Sequence, residues 1–367
     1  MSTDVRELLN LADYRAAARG RLPASVFAYI SGGSGNELAM RDNAAVLARM
    51  AIVPRALIDC RHGHTRVDLL GQTFASPLLL APVAAQGLVH AEGELATARG
   101  GGALDVPMVL SCMASQPMET VLAEHGGSCW LQVYWQGSRA RTLEVVRRAE
   151  AAGFAALVLT VDTPVNGLRL RELRAGFAMP ADAAAVNLPA HAARALDVPA
   201  GGSRIFQGVM RSAPTWDDVA WLRQQTRLPL VLKGLLAVQD VLRAAALGAD
   251  GVVLSNHGGR ALERAPAAIR MLAAARAAVG DVLPLLIDGG FTTGAQVFMA
   301  LALGARAVLI GRPQVYALAV AGDAGVARML RILRDELELT MALAGCATLA
   351  DITADSLLSL ASAGMDA

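Results

Sequence analysis

The sequence predicts a TIM barrel, a closed ring of eight β/α units, with a helical extension before it and an irregular insertion after the fourth strand. Three observations carry that expectation. Eight short apolar runs each end in small or polar residues. Most of them start about 20 to 35 residues apart, the size of a βαβ unit. The pieces between them show helical periodicity. The runs are PLLLAP (77–82), PMVLS (107–111), CWLQVY (129–134), AALVLTVD (155–162), PLVLKG (229–234), GVVLSNHGG (251–259), PLLIDGG (284–290) and RAVLIGR (306–312). Continuous apolar runs of this length suit strands buried on both faces, as in a parallel sheet with helices outside. Stretches such as SRARTLEVVRRAEAAGF and DVLRAAALGAD supply the helices and close in Gly or Asp. Eight such units favour the barrel over its alternative, a doubly wound open sheet.

The first 70 or so residues, with the helical stretch RELLNLADYRAAARG, precede the barrel and are expected to cover it. From Leu69 to Val89 the chain is uncharged, but Pro77 and Pro82 interrupt it. That segment reads as a turn plus a buried strand, not as a membrane helix. Between the fourth and fifth strands, residues 178–214 are rich in Ala, Pro and Gly. An insertion of that length on the strand-end face is expected to be a mobile loop. No linker, repeat or charge block divides the chain, so residues 1–367 read as a single domain.

Hydrophobic residues make up 54% of the chain and charged ones 18%, with a mean hydropathy of +0.42, which excludes a disordered protein. A net charge of +1 gives no electrostatic case for nucleic acid or an acidic membrane as a partner. Cys60, Cys112, Cys129 and Cys346 lie far apart, fitting neither a zinc site nor a disulfide framework. A cytoplasmic, reducing location is the expectation. His62 and His64 form an H-x-H without a second ligand cluster, so no metal site is expected. The start, MSTDVRELLNLADY, has acids where a secretory signal needs a basic start and an apolar run. Lys233 is the only lysine among 33 basic residues. Where arginine serves every other positive position, the one lysine marks a place that needs a compact ammonium.

The chemistry-bearing residues stand at the run ends: Ala84, Ser111, Gln132 with Tyr134, Thr160 with Asp162, Lys233, Ser255 to Arg260, Asp288 to Gly290, and Gly311 with Arg312. In a barrel these ends converge on one face and share one pocket. IDGG and GRP place glycine amides and an arginine where barrels commonly hold a phosphate, although either alone reads equally well as a turn. In SNHGGR (255–260) the histidine suits general-base work, and an arginine three residues later can grip a carboxylate by two parallel hydrogen bonds. That pairing suits oxidation of a 2-hydroxy acid. Lys233 then has two readings: a cation that stabilises a reduced flavin, or a barrel-mouth salt bridge.

Together these motifs resemble the FMN-dependent L-2-hydroxy acid oxidase/dehydrogenase family, which includes glycolate oxidase, lactate oxidase and mandelate dehydrogenase. The likeness runs through LPASVFAYISGGSGNE, APVAAQGLVHAEGE, LQVYW, LTVDTP, VLKG, LSNHGGR, IDGG and ALALGARAVLIGRP. AYISGGSGNE and LKGLLAVQD look closest to its 4-hydroxymandelate oxidase branch. The resemblance implies FMN as cofactor and an L-2-hydroxy acid, mandelate-like in one reading, as substrate. The acceptor it implies is O2, giving H2O2 and a 2-oxo acid; the alternative is a soluble dehydrogenase that passes electrons to a quinone or a protein. It also implies a homo-oligomer, a tetramer or octamer. A non-redox FMN barrel and a cofactor-free binding protein are the other classes, and the His257, Arg260 and Arg169 set argues against the first.

Carried over residue by residue, the resemblance makes His257 the base and Asp162 the group that holds its imidazole. Arg260 and Arg169 would clamp the carboxylate, with Tyr29 and Tyr134 hydrogen-bonding the carboxylate or the reacting hydroxyl. Pro82, Val83, Ala84, Ser111, Gln132, Thr160, Lys233 and Ser255 would line the flavin. Asp288, Gly289, Gly290, Gly311 and Arg312 would hold its ribityl chain and phosphate. Three departures stand out. DGGFTTG puts Thr292 where the family has an arginine on the phosphate, so weaker FMN binding is expected. Leu168 replaces a second arginine beside Arg169, and Val83 and Met113 alter the pocket wall.

Overall fold

Eight parallel strands close into a barrel in the computed structural model, which describes residues 7–188, 198 and 201–358. Before the barrel come helices α1 (Leu11–Arg21), α2 (Ala24–Ser31) and α3 (Leu38–Arg49), then a two-stranded hairpin, β1 (Val67–Leu69) and β2 (Gln72–Phe74). The first half of the barrel runs β3 (Leu78–Leu80), α4 (Glu94–Gly102), β4 (Met108–Ser111), α5 (Met118–His125), β5 (Cys129–Tyr134), α6 (Arg139–Ala152) and β6 (Ala156–Thr160). A short helix, α7 (Leu170–Arg174), opens the insertion. The second half runs α8 (Trp216–Gln225), β7 (Leu230–Leu235), α9 (Val238–Ala246), β8 (Gly251–Leu254), α10 (Ala268–Val279), β9 (Leu285–Ile287), α11 (Gly294–Ala302), β10 (Ala307–Ile310) and α12 (Arg312–Ala344). β10 pairs with both β9 and β3, which closes the ring as a TIM barrel. Each of the eight apolar runs became one strand.

Alternation along each strand sorts its side chains into two cores. Val109, Trp130, Val158, Val231, Val253, Leu286 and Leu309 point into the barrel and fill it. Their neighbours Leu110, Leu131, Leu159, Leu232, Leu254, Ile287 and Ile310 point outward and pack under the helices. One period further along come Ser111, Gln132, Thr160, Lys233, Ser255, Asp288 and Gly311, at the carboxyl-terminal mouth. Register aligns them across the sheet: Ser111 lies opposite Gln132, Tyr134 opposite Thr160, and Thr160 opposite Lys233.

The expected amino-terminal cover is split between the two ends of the barrel. The helices α1 to α3 flank the mouth, with α1 packed along α12 and α3 against residues 257–259. The opposite end is plugged by the hairpin, whose Val67, Leu69 and Phe74 join the barrel's inner core. No apolar run marked this hairpin, because its strands are three residues each. Its turn, with Leu70 and Gly71 both at positive φ (49° and 77°), is the tight two-residue kind that matches strand twist.

Of the insertion at 178–214, residues 189–197 and 199–200 lie outside the described residues. The described part forms short helical turns at Ala181–Ala183, Arg204–Gly208 and Val209–Ser212. Buried Asn187 ties it to the barrel, accepting from the Met118 amide and donating to the Gln116 carbonyl, both at 2.8 Å. Among the described residues no helix is long and apolar enough to cross a membrane.

The plug generates a prediction. Phe74 is buried in the inner core far along the barrel axis from the mouth, so Phe74→Ala should cost about 3–5 kcal/mol of stability in urea unfolding. A loss below about 1 kcal/mol would mean that the hairpin is an appendage and not part of the core.

Candidate active site

A cavity of about 520 Å³ opens at the mouth, where the strand-end side chains converge. Of the residues singled out in the sequence, its walls take Tyr29, Pro82, Val83, Ala84, Ser111, Tyr134, Arg169, Lys233, His257, Arg260, Asp288, Gly289, Gly290, Thr292, Gly311 and Arg312. Gln132, Thr160, Asp162 and Ser255 stand behind this wall, bonded to or in register with residues that form it.

His257 sits at the centre. Its Nδ1 is 2.8 Å from Asp162 Oδ1, which fixes the ring and leaves Nε2 toward the cavity, 3.5 Å from the Tyr134 hydroxyl. Burial pushes the Asp162 carboxyl up, but the His257 hydrogen bond and the His257 and Lys233 charges outweigh it and hold it below the usual carboxylate range. Asp162 is therefore an anion at neutral pH. Burial raises the Tyr134 phenol above its usual value, more than the nearby Lys233 lowers it, so Tyr134 stays a donor.

The loop that presents His257 is built for close approach. His257 itself is left-handed (φ 57°), as are Gly258 and Gly259 (61° and 75°), a conformation costly for any residue but glycine. Its strain is absorbed by bonds from every side. The His257 amide donates to Ser255 Oγ (2.9 Å), and Asn256 Oδ1 accepts from the Gly259 amide (3.1 Å). Asn256 also trades two amide hydrogen bonds with Asn43 of α3, at 3.0 and 2.8 Å. An added Cβ on Gly259 would stand 2.6 Å from the Met40 nitrogen, so only glycine lets α3 come this close.

Three arginines gather beside this loop with too little negative charge to match. Arg260 donates to the Tyr29 and Gly32 carbonyls (2.6 and 2.9 Å) and lies 5.2 Å over the Tyr29 ring. Arg169 donates to Asn166 (3.2 Å), and both it and Arg260 approach Glu172 only loosely, at 3.6 and 3.9 Å. Burial, then the charges of Arg169 and Arg312, bring the Arg260 guanidinium down to about 10. A cluster of cations held apart from water in this way favours an anion among them. Tyr29, stacked 4.4 Å from Phe177, forms the adjoining wall.

Farther round the mouth, Lys233 is fully enclosed, with Nζ 2.8 Å from Asp288 Oδ2 and 3.0 Å from Ser255 Oγ. Burial pushes its pKa down; the Asp288 and Asp162 charges more than offset that and raise it above the usual lysine value. The salt bridge is thus present, and the same lysine is a wall of the cavity. Asp288 Oδ1, Gln132 Nε2 and Thr160 Oγ1 are buried without partners in the protein. Gly289 and Gly290 are left-handed (φ 108° and 92°), and Gly311 caps the amino end of α12. Unpaired buried donors and an acceptor, next to glycine amides and a helix amino terminus, fit a long polar ligand that ends in a phosphate. Flavin mononucleotide has that form.

Apart from Tyr29, sequence reasoning missed what the amino-terminal helices contribute. Arg15, Met40, Arg41 and Ala44 all line the cavity. Their residue types carry no motif: the packing of α1 along α12 brings Arg15 there, and that of α3 against residues 257–259 brings Met40, Arg41 and Ala44.

Residues 18–359 match the family described as FMN-dependent dehydrogenase. The chain is 50% identical over 349 residues to an L-lactate oxidase of Alicycliphilus denitrificans, covering 95% of this chain and 96% of that protein. It is 45% identical over 340 residues to a 4-hydroxymandelate oxidase of Amycolatopsis orientalis, covering 92% and 95% of the two chains. A crystal structure of mandelate oxidase superimposes with a TM-score of 0.87 at 42% identity, over 96% of this chain and 98% of that one.

The contact behind Asp162 can be tested directly. A Cβ on Gly234 (φ 105°) would lie 2.5 Å from Asp162 Cγ, so Gly234→Ala should push the carboxylate off His257. The downfield proton resonance of the hydrogen-bonded imidazole should then vanish from the NMR spectrum while the fold persists. A resonance unchanged from the parent would contradict the pairing.

Proposed function

The chain belongs to the FMN-dependent dehydrogenase family, whose cofactor is FMN, and from that premise we propose that it oxidises an L-2-hydroxy acid to the 2-oxo acid with O2 as acceptor. The observation that supports this most is the placing of the His257–Asp162 pair and the Arg260–Arg169 clamp around one cavity. FMN, held by the residues named below, would supply the two-electron acceptor, with O2 as the final oxidant reduced to H2O2.

The side chains supply the rest. Arg260 and Arg169 take the substrate carboxylate, which answers the excess of positive charge in their cluster. The carboxylate so held presents the neighbouring hydroxyl and α-carbon to His257, whose Nε2 accepts a proton. Asp162 fixes the imidazole and stabilises the imidazolium. Tyr134, a donor at 3.5 Å from Nε2, hydrogen-bonds the reacting oxygen, and Tyr29 the carboxylate. Gln132, Thr160 and Asp288 offer FMN their unpartnered polar atoms, together with Pro82, Val83, Ala84, Ser111 and Ser255 around them. Gly289, Gly290, Thr292, Gly311 and Arg312 make up the phosphate end. Lys233 places a fixed positive charge where reduction adds negative charge to the cofactor. We assign the enzyme to the cytoplasm, in keeping with its four free thiols, and to a homo-oligomer.

Peroxide and 2-oxo acid formed in equal amounts from an L-2-hydroxy acid, with O2 consumed to match, is the result expected of the purified enzyme. Turnover with a dye but none with O2 would move the assignment to a dehydrogenase. His257→Gln should keep FMN bound yet slow anaerobic flavin reduction by about 10²- to 10⁴-fold. A near-parental rate would remove His257 as the base. Lys233→Arg keeps the charge but not its compact form, so sulfite should bind the variant's flavin more weakly. Parental sulfite affinity would leave Lys233 as a structural ion pair alone.

A further inference from the structure

The phosphate end of the cavity offers fewer free donors than its sequence suggests. Arg312 is enclosed, and its Nε, Nη1 and Nη2 donate to the carbonyls of Ile30 (3.1 Å), Gly258 (2.9 Å) and Gly32 (2.8 Å). Thr292 turns both its amide and its hydroxyl onto Gln296 Oε1, at 2.7 and 3.2 Å. With its one hydroxyl proton committed there, Thr292 has no donor left for a phosphate, which is itself an acceptor. The loop between Asp288 and Thr292 holds no cation of its own.

Helix α3 stands against this loop. A Cβ on Gly290 would lie 3.1 Å from Asn43 Cβ and 3.8 Å from the Ala44 nitrogen. Arg41 and Ala44, three residues apart and so on one helix face, both line the cavity that Gly290 and Thr292 line. Arg41 Nη2 donates to the Asn36 carbonyl at 2.6 Å. Among the described residues no carboxylate lies within ion-pair distance of Arg41, so its charge is free to act on a ligand. Arg15, the other cavity-lining arginine from these helices, is engaged by the Tyr316 phenol.

We propose that Arg41 supplies the cation on the FMN phosphate that the loop around Thr292 lacks. The inference rests on the FMN reading of the cavity. FMN is then held by the barrel along most of its length and by an amino-terminal helix at its charged end. Since α3 also grips Asn256, the same helix that senses the phosphate steadies the His257 loop.

Titration of the apoproteins with FMN and, separately, with riboflavin tests this through flavin fluorescence, without any turnover. Arg41→Met should weaken FMN binding about ten- to a hundredfold, the loss of one charge-assisted contact, and leave riboflavin affinity unchanged. Arg41→Lys should keep most of the FMN affinity. Thr292→Arg should do little alone but restore FMN binding when added to Arg41→Met. Unchanged FMN affinity in Arg41→Met would overturn the proposal. So would equal losses for FMN and riboflavin, which would mean that Arg41 acts through the fold, or a phosphate-specific loss in Arg15→Met but not in Arg41→Met. Parent protein that binds neither flavin would overturn the FMN reading itself, a result visible before any variant is compared.

Discussion

Side-chain alternation in a closed parallel barrel decides where the strand-end polar groups of this chain stand. Inward positions are apolar until the last turn of each strand, and the next inward position carries the chemistry: Val109 precedes Ser111, Val231 precedes Lys233, Val253 precedes Ser255 and Leu286 precedes Asp288. A slip of one residue would send those polar groups into the layer beneath the helices. Continuing the same phase through the strand ends leads from Thr160 to Asp162 and from Ser255 to His257, although the backbone there has left the sheet. The deep filling by Trp130 and its neighbours keeps the polar groups at one end, above a dry core.

Burying a lysine at that level is costly unless it is paired, and the pairing organises the mouth. Lys233 of β7 reaches Asp288 beyond β9 and Ser255 beyond β8, and Ser255 in turn receives the His257 amide. Three strand ends are thereby tied to His257. Gly234, where the β7–β8 register shifts, leaves the room in which Asp162 meets His257. The amino-terminal helices complete the enclosure by the Asn43–Asn256 pair and by carbonyls of Tyr29, Ile30 and Gly32 that orient Arg260 and Arg312. They are a part of the site and not a detachable lid.

The barrel was legible because its strands are buried on both faces and so write continuous apolar runs, each closed by polar residues. The place of SNHGGR and IDGG at the mouth was legible because each closes an apolar run with polar and glycine residues. The hairpin at 67–74 was not, since three-residue strands leave too short a pattern and their burial comes from the barrel they plug. Arg41 was hidden for a different reason. On the sequence it is one arginine on a helix surface, and its place in the cavity follows only from the long-range contact of α3 with Gly290 and Gly259. Thr292 was found by position, but its orientation is set by Gln296, whose carbonyl oxygen also takes the Thr293 amide in the capping box of α11.

Lys233, the His257–Asp162 pair and the Arg260 and Arg169 guanidinium groups surround one cavity, and the proposal that they serve flavin reduction by a 2-hydroxy acid is read in one spectrum. Holoenzyme mixed anaerobically with L-lactate or L-mandelate is predicted to lose the visible absorbance of bound FMN and to regain it when air is admitted. A protein that carries FMN yet stays oxidised with every member of a panel of L-2-hydroxy acids would contradict it.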